Sequence, residues 1–190
     1  MTDPAVAAPP WDIQAARNLY HIPRWGAKYF DVNDAGHVVA RPLQENGASV
    51  DLTDVIEEAK ARGLKFPVLI RFQDILRHRV EAINMAFRGS IKEFNYQGQY
   101  RGVFPIKVNQ LREVVEEILD AGRPFNFGLE VGSKPELFAG LALQSQMGSL
   151  IICNGYKDAG FIKMALLGIK LGKRVIMVVE KLEEGNQRWL

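Results

Sequence analysis

The sequence predicts an α/β fold in which a parallel sheet is covered by helices. Three observations carry that expectation. From residue 66 onward, short apolar runs alternate with longer amphipathic stretches; the runs are apolar at successive positions; and the stretches repeat their apolar residues at the helical period. Strands apolar on both faces belong to a sheet buried on both sides, and strand–helix alternation lets neighbouring strands run parallel. A doubly wound open sheet and a (β/α)8 barrel both satisfy the pattern, and periodicity alone does not separate them. A barrel needs eight units and typically ~250 residues, whereas these 190 residues supply five such strands.

In chain order, residues 1–18 are small, proline-rich and then weakly helical, with a disordered lead-in over 1–10 and a short helix from Asp12 to Tyr20. Residues 19–65 form a separate segment. Lys28–Val32 and His37–Arg41 flank Asn33-Asp-Ala-Gly36, which reads as a β-hairpin around an Asn/Asp/Gly turn. Val50–Arg62 is helical, with Leu52, Val55, Ile56 and Ala59 on one face and Gly63 placed to end it. Residues 66–190 then carry five βα units. The strands are Pro67–Phe72, Gly102–Val108, Asn126–Val131, Leu150–Cys153 and Arg174–Val179. The intervening helices run over Asp74–Arg88, from Leu111 to the stop at Gly122, from a capping box at Ser133-Lys-Pro-Glu136, and over Ala159–Leu167. A further helix is expected to be starting where the sequence ends at Leu190.

Composition limits the function classes. Hydrophobic residues make up 47% and charged residues 24%, the profile of a globular chain. Twenty-four basic residues against 22 acidic ones, a net charge of +2, give no electrostatic reason to expect nucleic acid or an anionic membrane as partner. The single cysteine, Cys153, excludes a disulfide framework within the chain and suits a reducing compartment. With no apolar run approaching the ~18 residues of a membrane helix and no leader-like start, a cytoplasmic location is expected.

Motifs narrow the chemistry further. There is no Gly-x-Gly-x-x-Gly after a strand and no Walker lysine, which counts against a nucleotide-binding sheet. His21, His37 and His78 are scattered, so no metal set is expected from them. Cys153 sits inside an apolar run and reads as a buried, inert thiol. Lys107 stands out, because it lies at the C-terminal end of an apolar strand, where α/β active sites form, and a lysine amine there can act as a Schiff-base nucleophile. A strand-end lysine that only reaches for solvent is the commoner case for an isolated Lys. Glu130 ends the next strand and can converge on the same mouth, or simply favour the N-terminus of the following helix. Asn109 and Asn154 either line that mouth or cap the helices that follow.

A resemblance sharpens this reading. Phe104-Pro-Ile-Lys-Val-Asn109 resembles the cofactor-lysine strand of the alanine-racemase-like, fold-type III pyridoxal-phosphate enzymes, whose decarboxylases carry a Tyr-Ala-Val-Lys-x-Asn-type sequence there. Leu129-Glu-Val-Gly-Ser-Lys-Pro-Glu-Leu137 resembles their next strand and helix start, and Ile151-Ile-Cys-Asn-Gly155 the strand after that. More narrowly, Arg24–Asn33, Gly102–Gln110 and Gly128–Leu137 are similar to the biosynthetic arginine decarboxylase branch, over a span from about Leu19 to Glu184.

That resemblance implies the N-terminal part of a (β/α)8 pyridoxal-phosphate-binding barrel, incomplete at Leu190. It implies decarboxylation of arginine to agmatine and carbon dioxide in putrescine and spermidine biosynthesis. It further implies pyridoxal 5'-phosphate on Lys107, Glu130 as the neighbouring acid, magnesium dependence and a homo-oligomer. The phosphate-gripping loops, the guanidinium-recognising residues and a β domain are expected beyond Leu190, so this span alone is expected to be inactive. The alternatives are a decarboxylase of ornithine, lysine or diaminopimelate, a non-catalytic pyridoxal-phosphate-binding barrel, and an open-sheet interaction domain in which Lys107 is only a surface lysine.

Overall fold

The structure, a computed structural model, describes residues 11–186. The expectations for residues 1–10 and for a helix starting at Leu190 lie outside the described residues. The chain divides into two compact units, one ending at Ile75 and the other beginning at Leu76.

In the first unit, helix α1 (Ile13–Leu19) is capped by Asp12, whose carboxylate accepts the Ala15 N–H at 2.7 Å. A short helix α2 (Ile22–Trp25) follows. Strands β1 (Phe30–Val32) and β2 (Val38–Ala40) form the expected hairpin, paired antiparallel with Phe30 opposite Ala40. The Asn33 side chain closes its turn by accepting the N–H groups of Ala35 and His37. A third strand, β3 (Val50–Asp51), pairs with β2 and leads directly into α3 (Leu52–Ala61). Asp51 serves two elements. Its carboxylate caps α3 through the Thr53 N–H and bonds His37 Nδ1 at 2.8 Å, and the His37 contact chiefly holds its pKa below the ordinary carboxylate value.

The run Pro67–Phe72 is not a strand. It lies between helices as irregular chain, with Leu69 76% exposed. Its composition is that of a sheet strand, but no described strand pairs with it, and backbone N–H and C=O groups without a ladder partner have nothing to hold them extended. The parallel sheet therefore has four strands among the described residues, not five.

The second unit contains most of helix α4 (Gln73–Glu93), longer than expected, and then β4 (Val103–Pro105), α5 (Arg112–Gly122), β5 (Gly128–Val131), α6 (Lys134–Leu143), β6 (Leu150–Cys153), α7 (Ala159–Lys170), β7 (Arg174–Met177) and α8 (Leu182–Asn186). The four strands are parallel neighbours in chain order, β4-β5-β6-β7. Val115 from α5, Leu137 from α6, and Phe161 and Ala165 from α7 all pack in one cluster with Leu129, Val131, Ile151 and Cys153. All three crossover helices therefore cover one sheet face. An open doubly wound sheet would divide its helices between the two faces, so order and packing are those of barrel units.

Alternation places Glu130, Ile152 and Ile176, which share one register row with Pro105, on the opposite face. A second cluster, Val80 with Val114, Ile118, Ala121 and Phe127, packs α4 on α5. Close strand contact explains Gly128: a Cβ there would lie 2.1 Å from the Leu150 carbonyl oxygen.

Candidate active site

The C-terminal ends of β4, β5, β6 and β7 open into a cleft of about 520 Å3 lined by Lys107, Glu130, Gly132, Glu136, Asn154, Gly155 and Glu180. Both residues singled out from the sequence therefore meet in one place. Lys107 is not on the strand itself. β4 ends at Pro105, which has no N–H to extend a ladder, and the chain tightens into a 3-10 turn over Ile106–Val108. That turn buries Ile106 and leaves Lys107 exposed, with no hydrogen bond or ion pair among the described residues. Its amine is accessible.

Glu130 has the opposite environment. It is 6% exposed, and its Oε1 accepts the Asn154 side-chain N–H at 3.0 Å. Asn154 is itself anchored by donating its backbone N–H to Val131 C=O at 2.9 Å. Of the two roles open to the asparagines, Asn154 thus takes the one at the mouth. Asn109 takes neither role fully: its Oδ1 accepts the Leu111 N–H in a turn just ahead of α5, whose N-cap is Leu111 and which has no side-chain cap.

The rim is built from carboxylates satisfied by backbone donors. Ser133 caps α6, and Glu136 reaches back to accept the Gly132 N–H at 2.7 Å, one residue earlier than in the usual capping box. Glu180 accepts the Gly155 N–H. Gly155 has φ +77°, and a Cβ there would stand 2.7 Å from the Gly132 carbonyl oxygen, so glycine lets the loop after β6 close over the loop after β5. Behind the rim, Lys157 and Glu184 form an ion pair at 3.5 Å with side chains only 2% and 6% exposed. Cys153 is fully buried; burial pushes its thiol up to about 11, with Lys157 opposing and Glu130 adding to the rise. It is no nucleophile at neutral pH.

Sequence reasoning missed Glu180, Lys157 and Glu184. Glu180 had a readable signal: it is the first acid past the end of an apolar strand, as Glu130 is close to the end of its own. A larger cavity of about 600 Å3 in the first unit is lined mainly by Trp11, Ile13, Tyr20, Trp25, Val32 and Val38. Its one acid, Asp12, is already capping α1, so it offers no comparable chemistry.

An exposed amine and a buried carboxylate line one cleft of a parallel sheet whose crossover helices lie on the other face, the arrangement of (β/α) barrel units. Residues 80–186 match the family described as pyridoxal-dependent decarboxylase, pyridoxal binding domain, and the chain belongs to that family. The chain is 48% identical over 174 residues to the biosynthetic arginine decarboxylase of Bacteroides thetaiotaomicron, covering 92% of this chain and 28% of that one. It is 49% identical to the enzyme of the same name from Phocaeicola vulgatus over the same shares. The crystal structure of the biosynthetic arginine decarboxylase SpeA from Campylobacter jejuni aligns with a TM-score of 0.78 at 32% identity, over 87% of this chain and 27% of that one. The chain spans little more than a quarter of the length of these relatives.

Proposed function

We propose that this chain carries the cofactor-binding lysine of a biosynthetic arginine decarboxylase, which converts arginine to agmatine and carbon dioxide and so feeds polyamine synthesis. The observation that carries the reading is the meeting of Lys107 and Glu130 in one cleft at the strand ends, inside the span that matches the pyridoxal-binding domain. Residues 66–190 would then be the opening units of the barrel, with 19–65 as a segment ahead of it.

The residues present fit pyridoxal phosphate: an accessible amine faces a cleft wide enough for a small aromatic ring, with an anchored acid alongside. When bound, the cofactor supplies the electron sink that accepts the pair left as the substrate carboxyl departs as carbon dioxide. The chain's own residues do the rest. Lys107 would hold the cofactor through its ε-amine. Glu130 would orient that amine and exchange a proton at its Nζ, and Asn154 would fix the carboxylate that does so. The α6 and α7 side of the sheet, packed with Leu129, Val131, Ile151 and Cys153, keeps water from the back of the site.

Phosphate in such barrels is usually held by loops after the seventh and eighth strands, which these units do not include. The span alone is therefore expected not to turn over. Magnesium is implied only by the resemblance. Among the described residues no group of three or more acids, histidines or cysteines could hold it. No described helix is long and apolar enough to cross a membrane. We place the working enzyme in the cytoplasm as a homo-oligomer.

The test uses the polypeptide from the complete reading frame, supplied with pyridoxal phosphate and magnesium and offered carboxyl-labelled arginine, ornithine, lysine and diaminopimelate separately. Carbon dioxide from arginine alone, abolished in Lys107→Ala, is expected. Release from another amino acid moves the protein to a sister activity. Cofactor binding without any release leaves a binding protein and overturns the proposal.

A further inference from the structure

The Lys157–Glu184 pair is expensive where it stands. Both side chains are nearly inaccessible, and the small cavity they border is otherwise lined by Ile162, Met177, Val178 and Val179. Withdrawing two charges from water into such surroundings costs about as much as their attraction returns, so a buried pair is a poor explanation of stability by itself. Its hydrogen bonds show what it does instead.

Glu184 Oε1 accepts the Lys157 N–H at 2.8 Å, and Glu184 Oε2 accepts the Glu180 N–H at 3.1 Å. Lys157 Nζ donates to the Gly155 carbonyl, and Glu180 accepts the Gly155 N–H. Both backbone groups of Gly155 are therefore tied down, the N–H by Glu180 and the C=O by Lys157, in a four-residue ring that Glu184 closes. Outside the ring, Lys181 Nζ stands 3.8 Å over the Tyr156 ring and links the same two segments again. The ring joins the loop after β6, residues 154–157, to the segment after β7, residues 180–184. The residue immediately before Gly155 is Asn154, whose amide holds Glu130.

We propose that Lys157 and Glu184 form a buried clamp that positions Glu130 in the cleft, by locking the Asn154–Lys157 loop onto the segment after β7. Neither member of the pair lines the cleft; the pair acts through Asn154. The assignment rests on the reading of Glu130 as the acid beside Lys107. Fixing a side chain through a neighbour's hydrogen bond requires that the neighbour's backbone cannot drift, and a loop held at both groups of one glycine meets that requirement.

The experiment uses the polypeptide from the complete reading frame. In the unsubstituted, cofactor-free protein, the backbone amides of Gly155 and Lys157 should exchange with solvent as slowly as those of β6, although they lie in a loop; free-loop exchange at either overturns the clamp. In Lys157→Met/Glu184→Leu, those two amides should exchange at least about tenfold faster while the amides of β5 and β6 keep their rates. With pyridoxal phosphate bound, the pH midpoint of the cofactor–lysine absorbance should move. Turnover should fall roughly ten- to a hundredfold with KM nearly unchanged.

Asn154→Ala should give the same losses, and adding it to the double variant should change nothing further, since residues acting in series are not additive. Losses that multiply, or an absorbance titration that stays in place, overturn the proposal. If the unsubstituted protein releases no carbon dioxide, the decarboxylase reading fails. The exchange rates and the absorbance titration then still decide the clamp.

Discussion

Leu129→Ala tests whether the helix-covered face of the sheet is the core that holds the site. Leu129 is fully buried on β5, and its neighbours in the cluster, Val131, Leu137, Ile151 and Phe161, are at most 2% exposed. The substitution removes three carbons. At about 0.8 kcal/mol per buried CH2 the transfer loss alone is about 2.4 kcal/mol. The cavity adds to it, because strands paired on both sides of Leu129 cannot close in; measured Leu→Ala losses of this kind run from about 2.7 to 5 kcal/mol. A total near 4 kcal/mol corresponds to about three decades in an opening equilibrium.

Hydrogen exchange of the β5 and β6 amides reads this in the unit concerned. Fluorescence would not single out this unit, since two of the three tryptophans, Trp11 and Trp25, belong to the first. The expected result is exchange accelerated by several hundredfold or more in β5 and β6. Leu182→Ala serves as the control; Leu182 is 84% exposed, and its loss should stay within about 0.5 kcal/mol. Acceleration below about tenfold in Leu129→Ala would refute this account of the core.

Gly128→Ala should prevent the sheet from forming normally, because its Cβ would meet the backbone of Leu150 and not a movable side chain; a soluble variant with wild-type exchange in β6 would contradict that. Acid should weaken the first unit through Asp51. Its pKa is held below the ordinary value of 3.8, first by the His37 hydrogen bond. The stabilisation is therefore complete above that value and is lost as pH falls through the lower folded one. Asp51→Asn should flatten this acid limb in melting temperature against pH, and an unchanged limb would disprove the link. Cys153, buried with its thiol raised to about 11, should resist thiol reagents at neutral pH until the protein unfolds; stoichiometric labelling of folded protein would place it elsewhere.

What could be read from the sequence follows from what holds each element. The segments from β5 to α7 were legible because local chemistry bounds them. Ser133 and Asp158 cap α6 and α7, and the apolar run Leu150–Cys153 coincides with β6. Elements that depend on pairing were not legible. Pro67–Phe72 has strand composition but no described partner, and β3 is two residues that extend only because β2 lies beside them. The site divides in the same way. Lys107 and Glu130 could be found from their places at strand ends. The Lys157–Glu184 pair could not: its bonds join residues 27 apart and run largely through backbone donors, which leave no mark in side-chain pattern.

The register explains why the legible pair falls together. Pro105, Glu130, Ile152 and Ile176 form one row across the four strands. The row before it, Phe104, Leu129, Ile151 and Val175, and the row after it, which holds Val131 and Cys153, turn to the helices. Side chains alternate, so the row of Glu130 and positions two residues further along each strand share the face away from the helices. Asn154, one residue past the end of β6, is held at that face by its bond to Glu130, and Lys107 reaches the same cleft from the 3-10 turn that follows β4.

Parallel neighbours in chain order end side by side, about 4.8 Å apart. Glu130, one residue before the end of β5, therefore lies between the C-terminal ends of β4 and β6. In a sheet with helices on both faces, that acid would be covered. Here the helices take one face only, and a carboxylate on the other can be buried by its neighbours and still line an open cleft. The monotone strand order, more than any single motif, brings two ordinary residues near strand ends to one cleft.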